Sequence, residues 1–163
     1  MLRTQYLTIA VLSLSAGSLA AEESAEHSGH HAIPHHWVAG VAGYALERKR
    51  EKDEETLAIG VEYGYRFSQK WGIGAVFETL GEDVVRDTAL IAPVSFHAGA
   101  GWRLFAGPGV EFADKHNDWM FRWGAGYEFE LTHNWTLAPE FVYDVIESGK
   151  RTYVLALALG YAF

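Results

Sequence analysis

Five histidines stand close together near the amino terminus of this 163-residue chain. Clustered neutral imidazoles with glutamates beside them suit zinc, copper or nickel, so the segment is a candidate metal-binding tail. The same composition also fits a solvated, flexible tail that titrates near the ordinary pKa of histidine, about 6.5. Both interpretations stay open. The candidate ligands are His27, His30, His31, His35 and His36.

A second candidate for chemistry is the sequence Ser95-Phe96-His97. A serine and a histidine two residues apart on one face of a strand can approach each other, as nucleophilic catalysis requires. A third group that would orient the histidine as a base is not evident in the sequence. We therefore predict that the chain is not an enzyme.

The segment before the histidines has the order of a secretory signal. Arg3 precedes an apolar run, and small residues follow up to Ala20. We expect cleavage after Ala20, which makes residues 1–20 a signal peptide and residues 21–36 a flexible periplasmic tail. No later apolar stretch reaches the roughly 18 residues of a transmembrane helix. The exported chain is therefore periplasmic, secreted or a β-barrel of the outer membrane.

Composition narrows these classes further. The chain has no cysteine, which excludes disulfides and thiolate metal sites. Its formal net charge of -8 argues against nucleic acid as a partner. The 17 glycines and the aromatic content of 14% are typical of a membrane barrel.

Four tryptophans recur from residue 37 onward at intervals of 34, 31 and 33 residues. Each follows a short turn and begins an alternating segment, so each interval has the length of one hairpin and four intervals make eight strands. Aromatic residues at the start of every ascending strand would lie at one membrane interface and form an aromatic girdle. The predicted girdle is Trp37, Trp71, Trp102, Trp135 and Phe163.

Bulky and charged residues alternate along these segments. In the second strand, Leu57 and Phe67 share one face, whereas Glu62 and Arg66 share the other. A soluble sandwich or lipocalin would bury the aromatic face and expose the charges. The aromatic faces, however, carry more bulk than a core of this size can hold, and the opposite faces are mostly glycine and alanine. We therefore favour a barrel with its aromatic face in lipid and its charges in a narrow lumen.

The lumen is expected to hold a network of opposite charges. Unpaired charges are costly in a narrow lumen, so acidic and basic side chains at matched heights should pair. Such pairs would leave the lumen mostly closed; the alternative is that they gate a narrow, cation-preferring pore. His97, Glu130 and Asp144 fall on the same face. The predicted network is Glu62, Arg66, Glu78, Arg103, Glu111, Arg122, Glu128 and Glu140.

The last strand, residues 152–163, alternates large and small residues without a charge and ends Gly160-Tyr161-Ala162-Phe163. With this end, eight amphipathic strands and aromatic residues beside the turns, residues 37–163 resemble the small outer-membrane β-barrel family of OmpA/OmpX type, often labelled porin-family proteins. The resemblance implies an all-β fold, namely an eight-stranded antiparallel up-and-down transmembrane barrel. The last strand is expected to close the barrel by pairing with the strand that begins at Trp37.

The resemblance also implies a location and partners. It implies a monomer in the outer membrane of a Gram-negative cell, in contact with outer-membrane lipid and lipopolysaccharide, whose last strand is read by the barrel assembly machinery. Members of the family range from structural proteins and adhesins to narrow channels and lipid-modifying enzymes, so the fold does not decide the function. We expect a structural or surface-interaction role, with the pore as the alternative. A lipid A-modifying enzyme is the third class, although Ser95-Phe96-His97 reverses the His-x-Ser-Asn-Gly order of the deacylase kind.

Overall fold

A computed structural model describes residues 36–48, 53–81, 87–113 and 116–163 of the chain. The predicted signal peptide, residues 1–20, and residues 21–35 of the predicted tail lie outside this part. Within the described residues, no helix is long and apolar enough to cross a membrane. His36, which we assigned to the tail, is instead the first residue of a strand.

The described residues form ten β-strands. They are β1 (His36–Arg48), β2 (Asp53–Arg66), β3 (Trp71–Leu80), β4 (Asp87–Ile91), β5 (Val94–Gly99), β6 (Trp102–Ala113), β7 (His116–Tyr127), β8 (Phe129–Glu130), β9 (Trp135–Ile146) and β10 (Arg151–Ala162).

Two of the breaks between strands are only interruptions. Pro93 has no N–H group and separates β4 from β5, but its carbonyl accepts the N–H of Gly74 at 2.9 Å and so keeps the pairing with β3. Glu128 separates β7 from β8, and its N–H donates to the carbonyl of Gly101 at 2.7 Å. Strands β4 and β5 therefore act as one strand of the barrel, as do β7 and β8.

The sheet closes on itself through β1 and β10. These strands pair antiparallel from Trp37 with Ala162 to Arg48 with Arg151, and β1 also pairs with β2 along its whole length. All other neighbours are antiparallel as well. The fold is thus a closed eight-stranded up-and-down barrel. The last strand lies beside the first, as the sequence predicted.

The two faces of the barrel have opposite chemistry. Bulky apolar side chains point outward, and Trp119 and Leu155 are each 66% exposed. Charged side chains point inward, and Asp144 is only 1% exposed. A soluble sandwich would have the reverse arrangement, because its apolar side chains would form the core. The strands are also long enough to cross a bilayer, for which a tilted strand needs roughly 9–11 residues, since β3 has 10 and β9 and β10 have 12 each.

The structure corrects the predicted position of Trp37. We placed it in the outward girdle, but it shares the inward face of β1 with the buried Ala39 and Ala45. Its indole lies against Gly64 of β2, where a Cβ atom would overlap the ring, so the missing side chain of that glycine makes the space. The glycine- and alanine-rich sequence of β1 does not reveal this orientation. The other four girdle positions are outward and exposed: Trp71, Trp102, Trp135 and Phe163.

Candidate functional site

The lumen contains four charged groups at successive heights. The first surrounds Arg103 of β6, which is 4% exposed. Its Nη1 and Nη2 atoms donate to both carboxylate oxygens of Glu62 at 2.8 and 3.0 Å, and Nη2 also donates to Glu140. The Nε atom lies 3.6 Å from Glu128. One guanidinium therefore joins carboxylates from β2 and β9 across the lumen.

Arg122 of β7 organises the second group. Its Nε and Nη2 atoms donate to Asp144 at 2.7 Å each. Its Nη1 and Nη2 atoms donate to Glu78 at 2.9 and 3.1 Å. Because both pairs are bidentate, four of the five N–H groups on one planar fork have fixed directions. The side chains of the three residues are at most 4% exposed.

Lys150 organises the third group. This group lies at the end of the barrel where β1 ends and β10 begins. Lys150 lies in the turn between β9 and β10, and its Nζ atom is 2.6 Å from carboxylate oxygens of both Glu47 and Glu111. Burial alone would lower the pKa of Lys150, but the hydrogen bonds and charges of these two glutamates outweigh it and hold the pKa above its ordinary value. Glu111 was predicted in the network, whereas Glu47 and Lys150 were missed.

The fourth group lies at the opposite mouth of the barrel. The Nη2 atom of Arg66 lies 3.1 Å from Nδ1 of His97, and Glu128 lies 3.5 Å from the same ring nitrogen. Nδ1 accepts from Arg66 when the ring proton is on Nε2, and it faces the Glu128 carboxylate as a donor when it carries the proton itself. Trp37 covers this group, with its ring 5.9 Å from the Arg66 guanidinium and edge-on to His97 at 6.3 Å.

The eight residues of the predicted network thus all face the lumen and fall into these four groups. The groups contain four cations and seven carboxylates, which leaves three negative charges when His97 is neutral. Most cations bridge two carboxylates. Asp144 joins the Arg122 group, whereas Glu130, which the alternation also placed inward, is exposed at the mouth.

An apolar layer separates the Arg103 group from the Arg122 group. The ring of Phe105 packs against Gly124, its paired residue on the neighbouring strand β7, where a Cβ atom would come within 2.5 Å of the ring. Val142 and Val154 pack into the same layer. One cavity is lined by the layer and by side chains of both charged groups, and its volume is about 20 Å³. A cavity of this size holds about one water molecule and not an ion with its hydration shell.

The candidate catalytic and metal-ligating residues do not converge. Ser95 and His97 are both inside the barrel, and within the described residues neither Ser95 Oγ nor His97 Nε2 has a hydrogen-bond partner. His36 bonds through Nδ1 to the Tyr63 hydroxyl at 2.8 Å and stacks on Phe163. His27, His30, His31 and His35 lie outside the described residues. Among the residues that the structure covers, no three acidic or histidine side chains are placed to hold a metal ion.

Comparison with known proteins shows the fold. No protein-family model matches the chain, and no curated protein matches its sequence. Neisserial surface protein A is similar with a TM-score of 0.64 at 12% identity, over 78% of this chain and 97% of that one. Ail, the attachment invasion locus protein of Yersinia pestis, has a TM-score of 0.57 at 15% identity, over 80% of this chain and 100% of its own.

A third similar structure is the N-terminal β-barrel domain of Pseudomonas aeruginosa OprF. It has a TM-score of 0.56 at 16% identity, over 77% of this chain and 97% of the domain. De novo designed transmembrane β-barrels match with a TM-score of 0.53 at 16% identity, over 80% of this chain and 96% of the design. The chain therefore has the fold of the small eight-stranded outer-membrane β-barrels.

Proposed function

We propose that the protein is an integral outer-membrane barrel whose closed lumen serves stability rather than transport, and whose role is structural or lies in interactions at the cell surface. The observation that carries this proposal is the apolar layer of Phe105, Val142 and Val154 between two ion-paired groups, where the cavity lined by the layer and both groups has a volume of only about 20 Å³. A continuous water path would have to cross this layer. Apolar constrictions of this kind exclude water and ions.

The charged groups strengthen the closure on both sides of the layer. Opening the lumen at Arg103 or Arg122 would separate a buried guanidinium from two carboxylates at once. Breaking a buried ion pair costs about 3–5 kcal/mol. Such an opening is a rare event at room temperature, because each 1.4 kcal/mol reduces a population about tenfold.

The proposed location follows from the outer wall and the amino terminus. The exposed band of aromatic and aliphatic side chains needs lipid around it, and the signal-like segment predicts export. Membrane fractionation and gel electrophoresis test both points. We expect the protein in the outer-membrane fraction, and a faster mobility of the unheated than of the boiled sample. Purification without detergent and an unchanged mobility would contradict the proposal.

A narrow, cation-preferring pore is the second candidate, because the lumen carries three more negative than positive charges. Release of potassium from vesicles that contain the folded protein separates the two functions. If the lumen is closed, vesicles with the folded protein release potassium no faster than protein-free vesicles do. Vesicles with the boiled, unfolded protein control for leakage caused by adsorption. Faster release that favours potassium over chloride would contradict the closed lumen and support the pore.

A further inference from the structure

His97 stands between a cation and a carboxylate at the mouth of the barrel opposite Lys150. Its Nδ1 atom lies 3.1 Å from Nη2 of Arg66 and 3.5 Å from Oε2 of Glu128. A bare ring nitrogen accepts a hydrogen bond, here from Arg66, whereas a protonated one donates, here to Glu128. Protonation of one nitrogen atom therefore decides which of the two partners His97 holds.

The other charges around His97 leave a single carboxylate at the centre of the group. Arg103 stands opposite His97 in the pairing of β5 with β6, and its Nε atom lies 3.6 Å from Glu128. Nη2 of Arg66 lies 3.7 Å from the same carboxylate. Glu130 attracts Arg66 only from the exposed rim. Two guanidinium groups thus already share Glu128, and a positive charge on His97 would be a third.

Arg66 is the cation that can leave the group. The side chain of Arg103 is 5% exposed and is bonded to Glu62 and Glu140, so its release would strip two buried carboxylates of their cation. The side chain of Arg66 is 25% exposed at the mouth, and the charge of Arg103 repels it. Water can therefore solvate the Arg66 guanidinium once it turns outward. A positive charge on His97 would drive this movement.

Trp37 covers both side chains. Its ring lies 5.9 Å from the Arg66 guanidinium and edge-on to the His97 ring at 6.3 Å. A cation near an indole is attracted by the π electrons of the ring, so the departure of Arg66 would remove this contact. The indole signal of Trp37 therefore reports the position of Arg66.

We propose that His97 is a pH-dependent switch that holds Arg66 in the mouth at neutral pH and releases it in acid. The neutral ring accepts from Arg66, and the two side chains form a closed cap beneath Trp37. The imidazolium donates to Glu128 and repels Arg66, which turns toward the medium outside. Histidine is the side chain whose charge ordinarily changes between pH 5 and 8.

The switch is confined to this mouth. The Arg103 group and the apolar layer lie deeper in the lumen and keep their contacts when Arg66 turns outward. The tail before β1 is predicted to be periplasmic, so the mouth would respond to the pH of the periplasm. The geometry of the switch itself depends neither on the membrane location nor on whether the lumen conducts.

The test is an NMR titration of the full-length folded protein in detergent micelles across the range in which histidine titrates, with isotope-labelled tryptophan indoles and histidine rings. Trp37→Phe and His97→Gln identify the two signals. We expect the Trp37 indole signal to shift with the same midpoint as the His97 ring signal. In Arg66→Gln the His97 ring should still titrate, but most of the Trp37 shift should be lost, because no guanidinium leaves the indole. Glu128→Gln should move both midpoints to lower pH, because it removes the acceptor of the protonated ring.

Lys70→Gln is the matched control. Lys70 lies in the turn before β3, where its carbonyl accepts the N–H of His97 at 2.7 Å, but its side chain is exposed. This variant removes a cation at the same mouth and should titrate as the wild type does. The mobility shift on heating shows that each variant is folded, and it tests the membrane barrel separately from the switch. A His97 ring that keeps one charge throughout the titration would overturn the inference. So would a Trp37 shift that is as large in Arg66→Gln as in the wild type.

Discussion

Replacement of Arg122 by methionine gives the sharpest test of the ion-paired lumen. Methionine keeps much of the length of the side chain but removes the guanidinium, which makes four hydrogen bonds of 2.7–3.1 Å to Glu78 and Asp144. Both carboxylates are nearly inaccessible, with exposures of 3% and 1%, so water cannot replace the lost partner. Removal of one partner from a buried ion pair costs about 3–5 kcal/mol. We expect the free energy of unfolding to fall by this amount.

The matched control variant removes the two negative charges of Glu78 and Asp144 together with the positive charge of Arg122. In Arg122→Met/Glu78→Met/Asp144→Leu the group is apolar and similar in volume, and replacement of a buried ion pair by well-packed apolar residues is often neutral or stabilising. The triple variant should therefore unfold within about 1 kcal/mol of the wild type. Urea unfolding in detergent micelles, followed by tryptophan fluorescence, measures both variants. A single variant as stable as the wild type, or a triple variant as unstable as the single one, would refute the reasoning.

Three other substitutions test separate features of the barrel. Gly124→Ala places a methyl group about 2.5 Å from the Phe105 ring, and this overpacking should lower the free energy of unfolding by about 1–3 kcal/mol. The double variant Gly124→Ala/Phe105→Leu should recover part of that free energy. Gly64→Ala should have a similar cost, because its methyl group would overlap Trp37, and no such cost is expected in a Trp37→Ala background. Lys150→Met leaves Glu47 and Glu111 without their buried cation and should destabilise the barrel at neutral pH. Since the pKa of Lys150 is raised, its contribution is fully present below the ordinary lysine pKa of about 10.4 and is lost as pH rises through the raised value. The stability difference between wild type and Lys150→Met should thus stay constant from pH 7 to about pH 10 and shrink above it; a difference that vanishes near neutral pH would contradict the proposed role of Lys150.

The faces of most strands could be predicted from the sequence because a strand has a side-chain period of two that needs no knowledge of tertiary contacts. Residues 57–67 show this, since their bulky positions are the exposed ones and Glu62 is buried. β1 could not be predicted in this way. Its small residues give no alternation, and the recurrence of the four tryptophans placed Trp37 outward. The informative signal was Gly64, which stands opposite Trp37 in the β1–β2 pairing.

The partners of the charged residues in the lumen could not be predicted from the sequence. Arg103 bonds to Glu62, which is 41 residues away in the chain, because the tilt and stagger of the strands bring them to one height. Lys150 lies in the turn between β9 and β10, and nothing in the sequence shows that its long side chain reaches back to Glu111. The apolar layer around Phe105 was likewise missed, because Phe105, Val142 and Val154 come from three different strands and form no local pattern.

Single-channel recording in planar bilayers tests the closed lumen most directly. The comparison uses the wild type, Arg103→Ala and Arg122→Ala, with Arg151→Ala as the control that removes an outward arginine. The apolar layer between the two arginine groups predicts no steady openings in any of the four, because the layer remains when either group is removed. Steady cation-preferring openings in the wild type, or openings that appear in Arg103→Ala or Arg122→Ala but not in Arg151→Ala, would show that ion pairs gate a pore.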